Sequence, residues 1–299
     1  MCLAGFSTSM NSIPFFSVII PTYQRNDLLA KCLDLLSPGI QTLPAEQYEV
    51  IVTDDGSEVT AKQMICERFP WVKWVSGPRK GPAANRNNGA KYASGEWLVF
   101  TDDDCLPDPQ WLAAYAQAKI TQQSCLVFEG RTYVDRPRQS LAETSPINET
   151  GGYLWSCNFA VQKQLFDSLS GFDERFPYAA MEDVDFRLRL AKNGYRFSFV
   201  KAASVCHPWR AKGGWNKIKQ HRESTFIYLS IHAEELANIN SVYYFLFALR
   251  SFVKQTVPAI LSFKLNGIDE AFLEHFAYLQ MSVLLWQYKL SNVKTLNNN

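Results

Sequence analysis

Apolar and polar positions follow two alternating rhythms through the first hundred residues. Residues 16–20 (FSVII), 48–53 (YEVIVT), 72–77 (VKWVSG) and 96–101 (EWLVFT) are short and nearly continuously apolar. Strands covered on both faces read this way. Between them, residues 26–37, 58–69 and 83–94 space their apolar positions as one face of a helix. Strand–helix alternation with short links predicts an α/β fold, a mostly parallel sheet sandwiched by helices. Ligands of such sheets sit outside the carboxyl ends of the strands. The polar clusters fall there: Pro21-Thr22-Tyr23-Gln24-Arg25, Asp54-Asp55-Gly56-Ser57 and Asp102-Asp103-Asp104.

The second half is less regular. Residues 125–134 and 196–207 read as strands, and 135–150, polar with two prolines, as a mobile loop. From about residue 215 the pattern is helical, and TLNNN closes the chain as a frayed tail. These shifts predict a sheet domain over 14–210, dividing near 108 into 14–108 and 109–210, with a helical C-terminal extension over 211–299. The run 242–263 has the length of a membrane span. Arg250 and Lys254 interrupt it and Pro258 would break or kink a helix, so we expect no crossing. Peripheral docking of these C-terminal helices on a membrane fits the same segment.

A chain of 299 residues, 47% hydrophobic and 14% aromatic, can bury a large core, and its net charge of +1 gives no basic field for nucleic acid. Seven cysteines without a CxxC, and four dispersed histidines, favour reduced cytoplasmic thiols over a disulfide frame or a zinc site. The first sixteen residues lack a charged start and a long apolar core, which predicts no signal peptide.

The candidate chemistry is acidic. Two carboxylates one residue apart at a strand end can aim at one Mg²⁺ or Mn²⁺, although Asp and Pro also make ordinary turns. Glu182 and Asp183 open a helical pattern that Asn193-Gly194 stops. First-turn acids commonly serve as caps, but a carboxylate kept ionised there can also act as a general base. Residues 77–96 add Arg79, Lys80, Arg86 and Lys91 to a Gly-Pro loop before a helix, a setting suited to phosphate. No GxxxxGK[ST] or GxGxxG motif accompanies them, so an ATPase or a dinucleotide dehydrogenase is not supported.

Five stretches in order resemble the family 2 glycosyltransferases: SVIIPTYQRNDLLAKCLDLL, YEVIVTDDGS, GPAANRNNGAKYASGEWLVFTDDDCLPDP, SCNFAV…GFDERF and EDVDFRLRLAKNG. The resemblance covers about residues 16–207 and implies an inverting GT-A enzyme using a nucleotide-diphosphate-sugar, probing residues 14–108 with the donor and 109–210 with the acceptor. It assigns Pro21, Thr22, Tyr23, Arg25, Asp54, Asp55, Arg86, Asp102 and Asp103 to the donor, with Tyr23 stacking on the base and Asp55 leaning towards uracil. It assigns Asp102, Asp104 and His207 to Mn²⁺ or Mg²⁺, and Asp183 to the general base with Glu182 beside it. Trp155 and Asn158 fall where sugar or acceptor is met. The implied acceptor is a saccharide or a lipid-linked saccharide, and the implied place is the cytoplasm, peripheral at the inner membrane face. Two rivals are a sugar nucleotidyltransferase, which would want a glycine-rich basic loop in place of PTYQRND, and a nucleotide-sugar-binding protein without catalysis.

Overall fold

A computed structural model describes residues 15–296, with side chains as far as Lys289. The expectations about the N-terminal sixteen residues fall almost wholly outside these. The expected tail at 295–299 is helical through Leu296 and otherwise also outside. The first strands are β1 (Phe16–Thr22), β2 (Tyr48–Asp54), β3 (Lys73–Ser76) and β4 (Trp97–Thr101), linked by helices α1 (Asn26–Leu36), α2 (Lys62–Arg68) and α3 (Pro82–Lys91). There follow β5 (Leu106–Pro107), α4 (Trp111–Thr121), β6 (Val127–Tyr133), β7 (Glu143–Thr144), β8 (Asn158–Gln162), α5 (Lys163–Ser168), α6 (Glu182–Lys192), β9 (Ser198–Cys206) and β10 (Arg210–Ala211). The helical remainder is α7 (Gly214–Ile231), α8 (Ser241–Ser251), α9 (Val257–Phe263) and α10 (Ile268–Leu296).

Eight strands form one sheet in the order β3-β2-β1-β4-β8-β6-β9-β5. Four of its seven neighbouring pairs are parallel, and β8 runs antiparallel to both β4 and β6. Chain order runs outward from β1 to β3 and then returns to β4 on the other side of β1. Such a reversal opens a crevice at the carboxyl ends of the two central strands. Every residue of β1 and β4 is buried, which is why these runs lack a polar alternation.

Successive side chains feed two cores. Val18, Val50, Val99, Leu33, Trp111 and Tyr115 occupy one face. Ile19, Ile51, Phe100, Phe186, Tyr228 and Leu285 occupy the other, so the C-terminal helices complete a core that the sheet begins. At its centre Phe100 stacks on Phe159 with ring centroids 5.0 Å apart.

Helix α3 reads as polar yet is buried. Asn85 exchanges hydrogen bonds with Thr53, and Asn87 bonds the Phe172 backbone in both directions. Satisfied amides make such burial tolerable. Gly89 lets this helix sit directly on the sheet, since a Cβ there would lie 2.6 Å from the Ile19 Cγ2.

The segment 135–150 corrects the expectation of a mobile loop. Arg138 donates to the carbonyls of Ser140, Leu141 and Glu143, and Arg136 pairs with Glu143 at 2.6 Å. Leu141 is buried, its amide bonds the Asn266 carbonyl, and β7 pairs with β10. Two arginines and one buried leucine tie down a stretch whose composition reads as loop. The run 242–263 breaks as expected, into α8, a π-turn at Phe252–Thr256 and α9 with Pro258 in its first turn. No helix among the described residues is long and apolar enough to cross a membrane.

Gly89→Val should lower stability by about 2 kcal/mol through overpacking against Ile19 and Thr53. Urea unfolding with an unchanged m-value is the check.

Candidate active site

The β1–β4 register pairs Ile19 with Phe100. Continued by three residues, it sets Thr22 beside Asp103. The Thr22 hydroxyl indeed donates to Asp103 Oδ2 at 2.7 Å. Asp103 is fully buried, and burial pushes its carboxyl up to about 7, against Arg25 and the Thr22 hydroxyl. Arg25 bridges forward from the loop after β1, pairing with Asp103 at 2.5 Å and Asp104 at 3.0 Å. Part of the repulsion among the three aspartates is thus cancelled by the protein itself.

Arg86 of α3 cancels more. It is 2% exposed, and its guanidinium donates to Asp102 Oδ1 at 2.7 Å and to Glu182 Oε1 at 3.0 Å. Burial acts to raise the Asp102 carboxyl, yet Arg86 holds it below the ordinary carboxylate range. Glu182 is buried, and burial with neighbouring Asp183 pushes it up to about 7 despite Arg86. Glu182, expected beside Asp183, anchors Arg86 through Oε1, while its buried Oε2 has no hydrogen-bond partner among the described residues. The helix carrying it opens on Met181 at φ 71°, a left-handed backbone without glycine. Such strain persists where the surroundings over-determine a residue. Asp183, next along, accepts the amides of Val184 and Ser156. Burial raises its carboxyl above the ordinary range, against those amides and Arg86.

Asp104 and His207 face one another, Oδ1 to Nε2 at 3.4 Å, and neither buried atom has a hydrogen-bond partner. The His207 Nδ1 lies 3.2 Å from the Pro208 carbonyl, an acceptor only. A proton on Nδ1 would satisfy that carbonyl and turn the Nε2 lone pair towards a cation, the arrangement of a metal-ligating histidine. Cys105 lies within 4.8 Å of both, with its thiol directed to the Cys157 carbonyl at 3.9 Å. An oxygen and an imidazole nitrogen, both buried and unpartnered, fit a divalent cation. Asp102, also expected as a ligand, gives its Oδ1 to Arg86 and stands beside this trio, close enough for His207 to help lower its carboxyl.

Arg210 belongs to no motif in the sequence. It reaches back from β10 to Asp104 Oδ2 at 3.2 Å. Lys217 of α7 stands near Arg210 and Arg25, and burial lowers its ammonium below the ordinary lysine range. The only signal for either was basic residues shortly after His207. Glu129 is also missed. Fully buried, it accepts the Asn148 side chain and the amides of Gly152, Tyr153 and Leu154. It thereby holds a shelf on which Tyr153 stacks with Trp155, centroids 4.5 Å apart. Ser156, which meets Asp183, follows directly.

The remaining expected residues divide. Tyr23 is 57% exposed at the crevice, free to stack. Pro21 and Thr22 are buried in β1 and shape the wall. Asp55 accepts the Arg79 amide at 2.8 Å, and burial raises its carboxyl. Two expectations are corrected. Asp54 turns inward, accepting the amides of Gly56 and Ala61 and the Trp74 indole, so it builds the loop and not a ligand contact. Asn158 is buried, its oxygen accepting from Trp111 and Tyr115 and its amide donating to the carbonyls of Arg131 and Ala203. With four bonds made inside the protein, it has no capacity left for a sugar.

Known proteins share this chain's sequence pattern and fold. Residues 17–159 match the family model described as glycosyl transferase family 2. Glycosyltransferase AglE of Haloferax volcanii is 37% identical over 218 residues, covering 68% of this chain and 70% of that protein. The chain belongs to glycosyl transferase family 2. As a family 2 member it is a glycosyltransferase. Validoxylamine A glucosyltransferase of Streptomyces hygroscopicus subsp. limoneus is 29% identical over 233 residues, 64% of this chain, which spans 51% of that relative. Crystal structures of S. aureus TarS 1-349, including complexes with UDP and with UDP-GlcNAc, match with a TM-score of 0.54 at 22% and 21% identity. They cover 82% of this chain and 74% of TarS 1-349. That likeness supports the GT-A-type sheet with helices on both faces.

Within this family 2 fold, Arg86→Ala should leave Glu182 buried without a partner and cost about 3–5 kcal/mol, read as a fall in Tm. Arg86→Lys should recover only part of it, because one ammonium does not reproduce the planar fork. Asn158→Ala should also lower Tm, by stranding the Trp111 and Tyr115 donors at about 1–3 kcal/mol each, while nucleotide affinity measured by calorimetry stays unchanged.

Proposed function

We propose that the chain transfers a sugar from a UDP-sugar to a hydroxyl of a saccharide or lipid-linked saccharide, with inversion. The observation that carries this reading is the Arg86 bridge. One guanidinium joins Asp102, at the donor end of the sheet, to Glu182, the residue before the base, so donor and base share one crevice. The UDP and UDP-GlcNAc complexes of TarS favour uracil as the donor base, with Tyr23 and Asp55 as its contacts here.

In this reading Asp104 and His207 hold the cation, and the imidazole favours Mn²⁺ over the more oxygen-demanding Mg²⁺. A cation held by these residues would supply charge neutralisation for the leaving diphosphate. Arg25, Arg210 and Lys217 line the same side and face the phosphates. The acceptor rests against Tyr153 and Trp155. Asp183 takes the proton of its hydroxyl as that oxygen attacks the anomeric carbon, and the bond to the diphosphate breaks on the opposite face. A single displacement needs one carboxylate base, whereas retention uses a second as nucleophile. Alignment of the two substrates supplies much of the rate. The domain division follows: 14–108 for donor, 109–210 for acceptor, and 211–299 as an extension that closes the core and meets the membrane. The six free cysteines among the described residues suit a reducing cytoplasm at the inner membrane face.

Calorimetric titration of UDP, GDP and dTDP with and without Mn²⁺ tests the donor. UDP should bind in a Mn²⁺-dependent way, and Asp104→Ala should abolish that dependence; binding of GDP alone would overturn the UDP assignment. Asp183→Asn should reduce kcat by about 10²–10⁴-fold with UDP affinity retained. The base must be ionised, so the rate should fall as pH drops through its pKa. Burial raises that pKa, placing the acidic limb above the ordinary Asp range.

A further inference from the structure

Of 23 exposed large hydrophobic side chains among the described residues, 14 lie between Val242 and Trp286. This concentration is not what scattered surface apolar residues produce. On α10, Phe272, Phe276, Leu279, Val283 and Trp286 recur at intervals of four and three, so they share one side of the helix. On α8 and the following turn, Val242, Leu246, Leu249 and Val253 do the same. The inner sides of both helices are already used, by Tyr244 and Ala248, and by Met281 and Leu285. The two outer stripes meet at a groove of about 650 Å³ lined by Tyr243, Leu246, Leu285 and Trp286 among others.

Charge decides what covers this face. From Leu236 to Ile268 the sequence holds Arg250, Lys254 and Lys264 and no acidic residue; after Glu274 it holds Lys289 and Lys294 and again none. Arg250, Lys254 and Lys264 are exposed, without a side-chain hydrogen-bond or ion-pair partner among the described residues. The acidic residues between these stretches are occupied elsewhere or few. Glu274 pairs with Lys212, and Glu270 lines the cavity against α7, which leaves Asp269. A second copy of the same face would bring cations against cations, an arrangement that disfavours association. An anionic surface that also accepts aromatic and aliphatic side chains complements it.

We propose that the outer face of α8–α10 lies on an anionic membrane surface, with Phe272, Leu279 and Trp286 in the headgroup–acyl boundary and Arg250, Lys254 and Lys264 on lipid phosphates. The helices lie on the bilayer and do not span it. This gives the membrane contact of the proposed function its face and lipid class, and it rests on that reading only for the reason a transferase should be there.

The test is flotation of the full chain with vesicles of phosphatidylcholine alone or mixed with phosphatidylglycerol. The chain should float with the anionic vesicles, less so at high salt. Arg250→Gln and Lys254→Gln should each weaken partition about fivefold. Phe272→Ser with Leu279→Ser should abolish flotation while Tm and Mn²⁺-dependent UDP binding stay those of the parent. Absence of flotation with anionic vesicles overturns the proposal. So does a dimer in sedimentation velocity that the Phe272→Ser, Leu279→Ser variant dissociates, since a second copy would then own the face. Flotation without nucleotide binding leaves the membrane face standing and removes the UDP-sugar reading instead.

Discussion

The buried guanidinium of Arg86 is the constraint on which the crevice depends. It comes from a helix between β3 and β4, yet its two partners lie at the end of β4 and at the start of α6, 16 and 96 residues away. A charge this deep is tolerable only when its hydrogen bonds are directed at carboxylates that need them. Glu182 meets that need at the cost of its own exposure, and Met181 accepts a left-handed backbone so that α6 can begin there. The placement of Asp183 follows from this clasp. The proposed base is therefore located by an ion pair it does not itself make.

The three adjacent aspartates turn out to have three separate environments. Asp102 is held by Arg86, Asp103 is sealed under Thr22 and Arg25, and Asp104 is shared between Arg25 and Arg210 while one oxygen faces His207. The turn after β4 explains the division: the Cys105 amide closes it on the Asp102 carbonyl at 3.1 Å, and the three side chains leave it in different directions. Arginines thus make the cluster tolerable within the protein alone. In the proposed reaction the cation and diphosphate enter a site whose charge is already partly balanced, and the arginines are positioned to follow the phosphates.

On the other side of the crevice the organiser is a carboxylate. Glu129 gathers the amides of three successive residues, and the shelf of Tyr153 and Trp155 has its shape because of it. Arg187 of α6 reinforces the shelf by donating to the Gly152 carbonyl. Base and shelf are consequently parts of one hydrogen-bonded unit. The C-terminal helices add a different element: they complete the inner core with Tyr228, Tyr244 and Leu285 and turn an apolar, cationic face outward.

The sequence by itself determined the strand–helix alternation, the collection of polar residues at strand ends and the family, because these rest on local periodicity and on motifs in order. It also singled out Asp104 and His207, which the fold brings to face one another. Side-chain destination was decided only by the tertiary structure. Asp54 and Asp55 are chemically alike, and only the turn after β2 sends one inward to three donors and leaves the other at the crevice. Asn158 reads as a sugar contact until four partners from three separate elements, α4, β6 and β9, consume its amide. Glu129 and Arg210 carry no local pattern, since their meaning lies in groups brought to them from distant segments. Hydrogen bonds and ion pairs are directional and satisfied by whichever partner the packing delivers, so no spacing along the chain records them.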